Sequence, residues 1–130
     1  VAQPQPRTIL TDVVAEGTTC LITGSLVDEA GSPLGSSQLQ AFTLTLYAVV
    51  SGLPIINSRN ATNILNAGPG TIDAGGLWTI TLTPADNDIV SAAAPVDETH
   101  RLLLEWTYGA GAKAGKHEIE IRVRNLDKVA

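Results

Sequence analysis

The chain has 130 residues, 13 acidic and 8 basic side chains, a formal charge of −5 and a pI near 4.8. That length suits one domain, and that charge argues against a dedicated nucleic-acid binder, which needs clustered Lys and Arg to displace counterions. No apolar run approaches the ~20 residues that span a bilayer, no basic-then-apolar signal opens the chain, and a single cysteine excludes an internal disulfide. The absence of methionine predicts that the initiator, or a longer leader, has been removed.

Charged residues make up 16% of the chain, against roughly 25% in an average soluble domain. Either the sequence is simply rich in small residues, or part of the surface is covered by other subunits and needs little solubilising charge. The charge is also uneven. Up to Pro95 there are 2 basic and 7 acidic residues, whereas from Val96 onward there are 6 of each, as expected for strand faces with cross-strand ion pairs.

In chain order, residues 1–17 read as an extended N-terminal arm. Gln-Pro-Gln-Pro favours polyproline-like backbone, and Ile9, Leu10, Val13 and Val14 follow as apolar anchors for a neighbouring subunit. The competing reading is a frayed terminus followed by an edge strand. From Thr18 the period is two, and residues 18–130 read as the domain. Cys20, Ile22, Gly24 and Leu26 share one face, and Asp28 to Pro33 is a turn. Phe42, Leu44, Leu46 and Ala48 alternate with Thr43, Thr45 and Tyr47. Short strands at Ile55–Ile56 and Thr62–Leu65 flank an Asn-rich loop, and glycine turns bracket Thr71 to Asp73. Trp78, Ile80 and Leu82 form another apolar face. Thr83, Pro84 and Asp86 are an N-cap, a first-turn proline and a first-turn acid, predicting a short helix over 84–90.

His100, Leu102, Leu104, Trp106 and Tyr108 then share a face, as do Ile119, Ile121 and Val123, in a hairpin joined by Gly109 to Gly115. Charge predicts its register. Trp106 opposite Ile119 would oppose Glu105 to Glu120, whereas Trp106 opposite Ile121 opposes Glu105 to Arg122 and is preferred. Short strands with turn signals every 8–12 residues predict an all-β, antiparallel β-sandwich, immunoglobulin-like in architecture.

Chemistry-bearing residues are sparse. Cys20, on an apolar face, reads as a packed thiol. His100 follows Asp97-Glu98 and reads as a solvated imidazole more readily than as part of an acid/base cluster. His100 and His117 are expected too far apart to chelate one metal, and no zinc spacing occurs. Asp86-Asn87-Asp88 is the densest acidic cluster but lacks a calcium-loop pattern, and helix-start acids account for Asp86. No nucleophile elbow or phosphate loop is present, so no catalytic, cofactor-binding or metal residues are expected. Asn60-Ala-Thr62 matches the glycosylation tripeptide, which is common by chance.

The succession Gly24-Ser-Leu-Val-Asp-Glu-Ala-Gly31-Ser-Pro-Leu34, Leu44-Thr-Leu-Tyr47, Gly76-Leu-Trp78-Thr-Ile-Thr-Leu82-Thr-Pro84-Ala-Asp-Asn87 and Leu104-Glu-Trp106 resembles small virion proteins of tailed bacteriophages. It is similar to the immunoglobulin-like modules of capsid decoration and upper baseplate proteins, over about residues 18–125. The resemblance implies a non-enzymatic structural subunit located in the virion, a capsid decoration (cement) or head–tail accessory protein. Its partners would be other virion proteins, capsid or tail subunits, in many copies or as a homo-oligomer, with no nucleic acid, membrane or cofactor. The alternative is a carbohydrate- or receptor-binding sandwich module of a phage tail, using the loops Asn57–Asn66 and Gly109–Gly115.

Overall fold

A computed structural model describes residues 7–91 and 96–126. The Pro-rich start of the expected arm, residues 1–6, lies outside them. Among these residues eight strands form two sheets: β1 Arg7–Ala15, β2 Cys20–Ser25, β3 Leu39–Ala48, β4 Thr62–Asn63, β5 Gly70–Ile72, β6 Leu77–Leu82, β7 Asp97–Tyr108 and β8 Lys113–Arg124. One sheet has the order β1-β8-β7-β3-β4 and the other β2-β6-β5. The fold is all-β, with helix confined to two single 3-10 turns among the described residues, Ser36–Gln38 and Pro84–Asn87. Among the described residues no helix is long and apolar enough to cross a membrane.

β2, β3, β6 and β7 form where the period-two pattern places them, whereas the strand expected at Ile55–Ile56 is a lone bridge from Ile55 to Tyr47 and that at Thr62–Leu65 is limited to Thr62–Asn63. Inward positions Phe42, Leu44, Leu46 and Ala48 on β3, Ile80 and Leu82 on β6, and Leu102 and Leu104 on β7 are fully buried. With Ile22, Trp78, Trp106, Ile119, Ile121 and Val123 they make one apolar cluster fed by both sheets. At about 25 cal/mol per Å² of apolar surface withdrawn from water, this shared core is the main stabilising term.

Three expectations are corrected. The larger sheet is mixed rather than wholly antiparallel, because β1 runs parallel to β8. Residues 7–15 of the expected arm are therefore an edge strand of that sheet, with Arg7 opposite Glu118 and Val14 opposite Val123. The hairpin register is neither of the two weighed from charge: Trp106 faces Gly115, not Ile121, and Glu105 faces Lys116, not Arg122. The connection is only Gly109 to Ala112, closed by a Gly111 N–H to Tyr108 C=O bond, and Gly109, Ala110 and Gly111 all have positive φ. This tighter register opposes Asp97 to Arg124, Arg101 to Glu120 and Glu105 to Lys116, so unlike charges meet at every charged pair. Third, the helix expected over 84–90 stops at Asn87. Pro84 starts it, and the Asp86 carboxylate turns back to accept from the Thr83 N–H (2.8 Å) and hydroxyl (3.0 Å).

Candidate functional site

Four polar groupings stand out from the apolar framework. The first is buried. Glu98 and His100 share the parity of Leu102 and Leu104, so both side chains point inward, where they are 1% and 0% exposed. The expected solvated histidine is thus corrected. His100 Nε2 lies 2.6 Å from Glu98 Oε1, and the carboxylate also accepts from the Val90 and Ser91 N–H groups, each at 2.9 Å. Burial pushes the His100 imidazole below its ordinary value, against the pull of Glu98. The arrangement fits a neutral ring donating from Nε2: Nδ1 is buried without a partner, and a second proton there would be a stranded donor. Burial pushes Glu98 up, but the bonds from Val90, His100 and Ser91 outweigh it and hold the carboxyl below the usual range. Buried in this way, the pair holds the backbone of Val90 and Ser91 against β7.

Asp86 is the second grouping. Fully buried, it accepts from Asn57 Nδ2 (2.8 Å) and Arg59 Nε (3.0 Å) as well as from Thr83. Burial raises its pKa, and the bonds from Arg59, Asn57 and Thr83 more than reverse that, so it stays an anion. Asp86 thereby ties the loop before β4 to the turn after β6, which is a structural role for the cluster weighed as a cation site. Among the described residues no group of three His, Cys, Asp or Glu side chains is placed to hold a metal.

The third grouping covers the outer face of the larger sheet. Tyr47 donates its hydroxyl to Glu118 (2.6 Å), which also pairs with Arg7, while Arg101 bonds Glu120 at 3.0 Å. The strands carry these residues at outward positions, so the charges neutralise one another across β3, β7, β8 and β1. The fourth is a shallow cleft of about 330 Å³ at the β7–β8 turn, bordered by Ser37, Gln38, Gln40, Tyr108 and Lys113. Glu29 bonds both Lys113 and Tyr108 there, and those hydrogen bonds lower its pKa to about 2.

The expected contact residues fall together on β1. Ile9 is 63% exposed, Leu10 packs partly against the core, and Val13 and Val14 are half-buried beyond an irregularity in the β1–β8 register. Cys20 is half-buried against the core, and burial pushes its thiol up, which disfavours the nucleophilic thiolate. His117 faces Leu104, four positions along the hairpin from the Ile121 that faces His100, and bonds the Thr8 hydroxyl at 2.7 Å. In the Asn-rich loop, Asn57 serves Asp86, Asn63 accepts from the Leu65 N–H and Asn66 from the Ile72 N–H, so those amides build turns.

Sequence reading missed the Asp86–Arg59–Asn57 hub, whose members lie 27 and 29 residues apart with no local signal. The inward placement of Glu98 was signalled by its parity with His100 and Leu102. Comparison with protein-family models, with curated proteins and with solved structures finds no match for this chain.

Proposed function

We propose that this chain is a non-enzymatic structural subunit of a tailed-phage virion, a capsid decoration or head–tail accessory protein, built as an immunoglobulin-like sandwich. The strand order, with the first strand parallel to the last and three strands packed behind, supports the architectural part of the reading. The residues that carry the resemblance are fold builders: Asp28 Oδ1 accepts from the Ala30 and Ser32 N–H groups, Trp78 is buried, and Thr83 and Asp86 cap the turn after β6.

The observation that carries the functional part is an exposed apolar edge on an acidic body. Ile9 stands in solvent on β1, beside the part-buried Leu10, Val13 and Val14, while Arg7 and Arg101 nearby are taken up by Glu118 and Glu120. Such a subunit works by surface complementarity. It binds the assembled lattice and not the free shell subunit, so binding stabilises the lattice by mass action, and many copies add through avidity.

The test mixes purified protein with particles that lack it. Saturable binding and a raised disassembly temperature are expected. Ile9→Thr, which removes an exposed apolar side chain while keeping a strand-forming residue, should weaken binding about tenfold without lowering the melting temperature. Normal incorporation of that variant would remove β1 as the contact. A chain that ignores particles but binds glycans would favour the recognition module, for which the cleft beside Gln38, Gln40 and Tyr108 is the surface to examine.

A further inference from the structure

A sheet edge is a row of unpaired backbone donors and acceptors, and proteins guard it with short strands, bulges, charge or proline. Among the described residues, three of the four edges are guarded. β1 carries a register shift between Ile9 and Val13, β4 has two residues and β5 has three. The fourth is β2: Cys20-Leu-Ile-Thr-Gly-Ser25, six residues with no charge, no proline and an unbroken register to β6. Among the described residues nothing pairs with its outer side.

The direction of its free groups follows from one bond. The Leu26 N–H donates to the Gly76 C=O at 3.0 Å, on the β6 side. Backbone groups alternate along a strand, so those of Ile22 and Gly24 also face β6, while Leu21, Thr23 and Ser25 direct theirs outward. The side chains of these three residues are exposed. With Leu77, Thr79 and Thr81 on β6 and Thr71 on β5 they form a sheet face whose strand positions carry no ionisable group, with Asp73 at its margin beside Leu77, and on it Leu21 is 66% and Leu77 62% exposed.

We propose that β2 pairs antiparallel with β2 of a second copy of this chain, about a two-fold axis at Thr23, merging two three-stranded sheets into one of six strands. A two-fold axis brings the same patch of both copies together, so in a chain of charge −5 an uncharged strand is where two copies meet without repulsion. The outward groups require odd residues to face odd residues, and centring on Thr23 is the register that pairs all three. Thr23 faces Thr23 of the second copy, and Leu21 faces its Ser25, each pair exchanging both backbone bonds. Small Ser25 leaves room for Leu21 of one copy and Leu77 of the other to close over it, since Ser25 and Leu77 are cross-strand neighbours. The outer sheet of charges offers no such match, because its groups are already paired within one chain.

The inference concerns the free protein and is tested without particles. Light scattering and sedimentation across a concentration series should show a monomer–dimer equilibrium. Thr23→Lys places like charges across the axis and should raise the dimer dissociation constant at least tenfold, whereas Thr71→Lys, on the same face but two strands away, should not. Thr23→Cys in a Cys20→Ser background should cross-link on mild oxidation, since the facing Cα atoms would be ~5.5 Å apart, within disulfide reach. That cross-link decides the matter even if the lysine variant fails to fold. A wild-type chain that is monomeric at every concentration, a dimer that survives Thr23→Lys, or absence of the cross-link would each overturn the proposal.

Discussion

Each tryptophan lies directly across a strand pair from a glycine, Trp106 opposite Gly115 and Trp78 opposite Gly24. The indoles lie over the space that a side chain would fill. A Cβ on Gly115 would sit 2.4 Å from Trp106 Cε2 and 2.5 Å from Cζ2, where carbon atoms prefer about 3.5–4.0 Å. To admit even Ala, the indole must retreat by about 1 Å. It has little room, because Phe42 meets its edge at 6.3 Å between ring centroids and is itself fully buried. Overpacking of this kind costs about 1–3 kcal/mol, while replacing Gly by Ala restricts the unfolded chain and returns about 0.4–1 kcal/mol. Gly115→Ala should therefore lose about 1–2 kcal/mol, roughly 3–10 °C in Tm for a domain of this size. Urea unfolding followed by far-ultraviolet circular dichroism reads the loss. In a Trp106→Leu background the clash is gone and the same change should become neutral or stabilising. Gly75→Ala serves as a control, since its Cβ would meet only Asp73 Oδ1, at 3.4 Å. A Gly115→Ala protein as stable as the wild type would refute the close-contact reasoning.

The buried His100 makes stability depend on acid. Its native pKa lies below the ~6.5 of an unfolded chain, so the unfolded state binds the proton first. Stability should thus be full above about pH 6.5 and fall as pH drops toward the native value, by up to ~1.4 kcal/mol per pH unit. His100→Gln should flatten this limb and leave the loss due to Glu98 and Asp86 at lower pH; a wild-type Tm that is level from pH 7 to 5.5 would contradict it. Asp86→Ala strands Asn57 and Arg59 and removes the Thr83 cap, with an expected loss of about 2–4 kcal/mol, discounted because Arg59 is partly exposed. An urea midpoint equivalent to less than 1 kcal/mol would show that water replaces the carboxylate without difficulty.

Alternation alone located the inward faces of β3, β6, β7 and β8, because each strand buries one side on a common core. Register was harder. Opposing unlike charges is the rule this hairpin follows, yet both registers weighed from sequence assigned Gly115 to the loop, since glycine usually marks a turn. Here it is a strand residue whose missing side chain makes space for Trp106. His100 was placed on the right face but read as solvated, because the two N–H groups that make Glu98 a buried anion come from Val90 and Ser91, 8 and 7 residues away in sequence. For β1 both an arm and an edge strand fit the sequence. Its parallel partner begins more than a hundred residues later, beyond the reach of local pattern, as the Arg7–Glu118 separation of 111 shows.

That long separation has a consequence for biosynthesis. β1 is made first and β8 last among the described strands, yet they are neighbours in the same sheet. While the chain is being made, β1 has no partner, and the larger sheet closes only after β8 has been synthesised. Closing so large a loop is entropically costly, and parallel pairing over such distance is slow. β3 and β7 can already zip together before that moment, leaving the other edge of β7 unpaired. The interval before β8 docks is therefore when this chain is most exposed to association with the wrong neighbour.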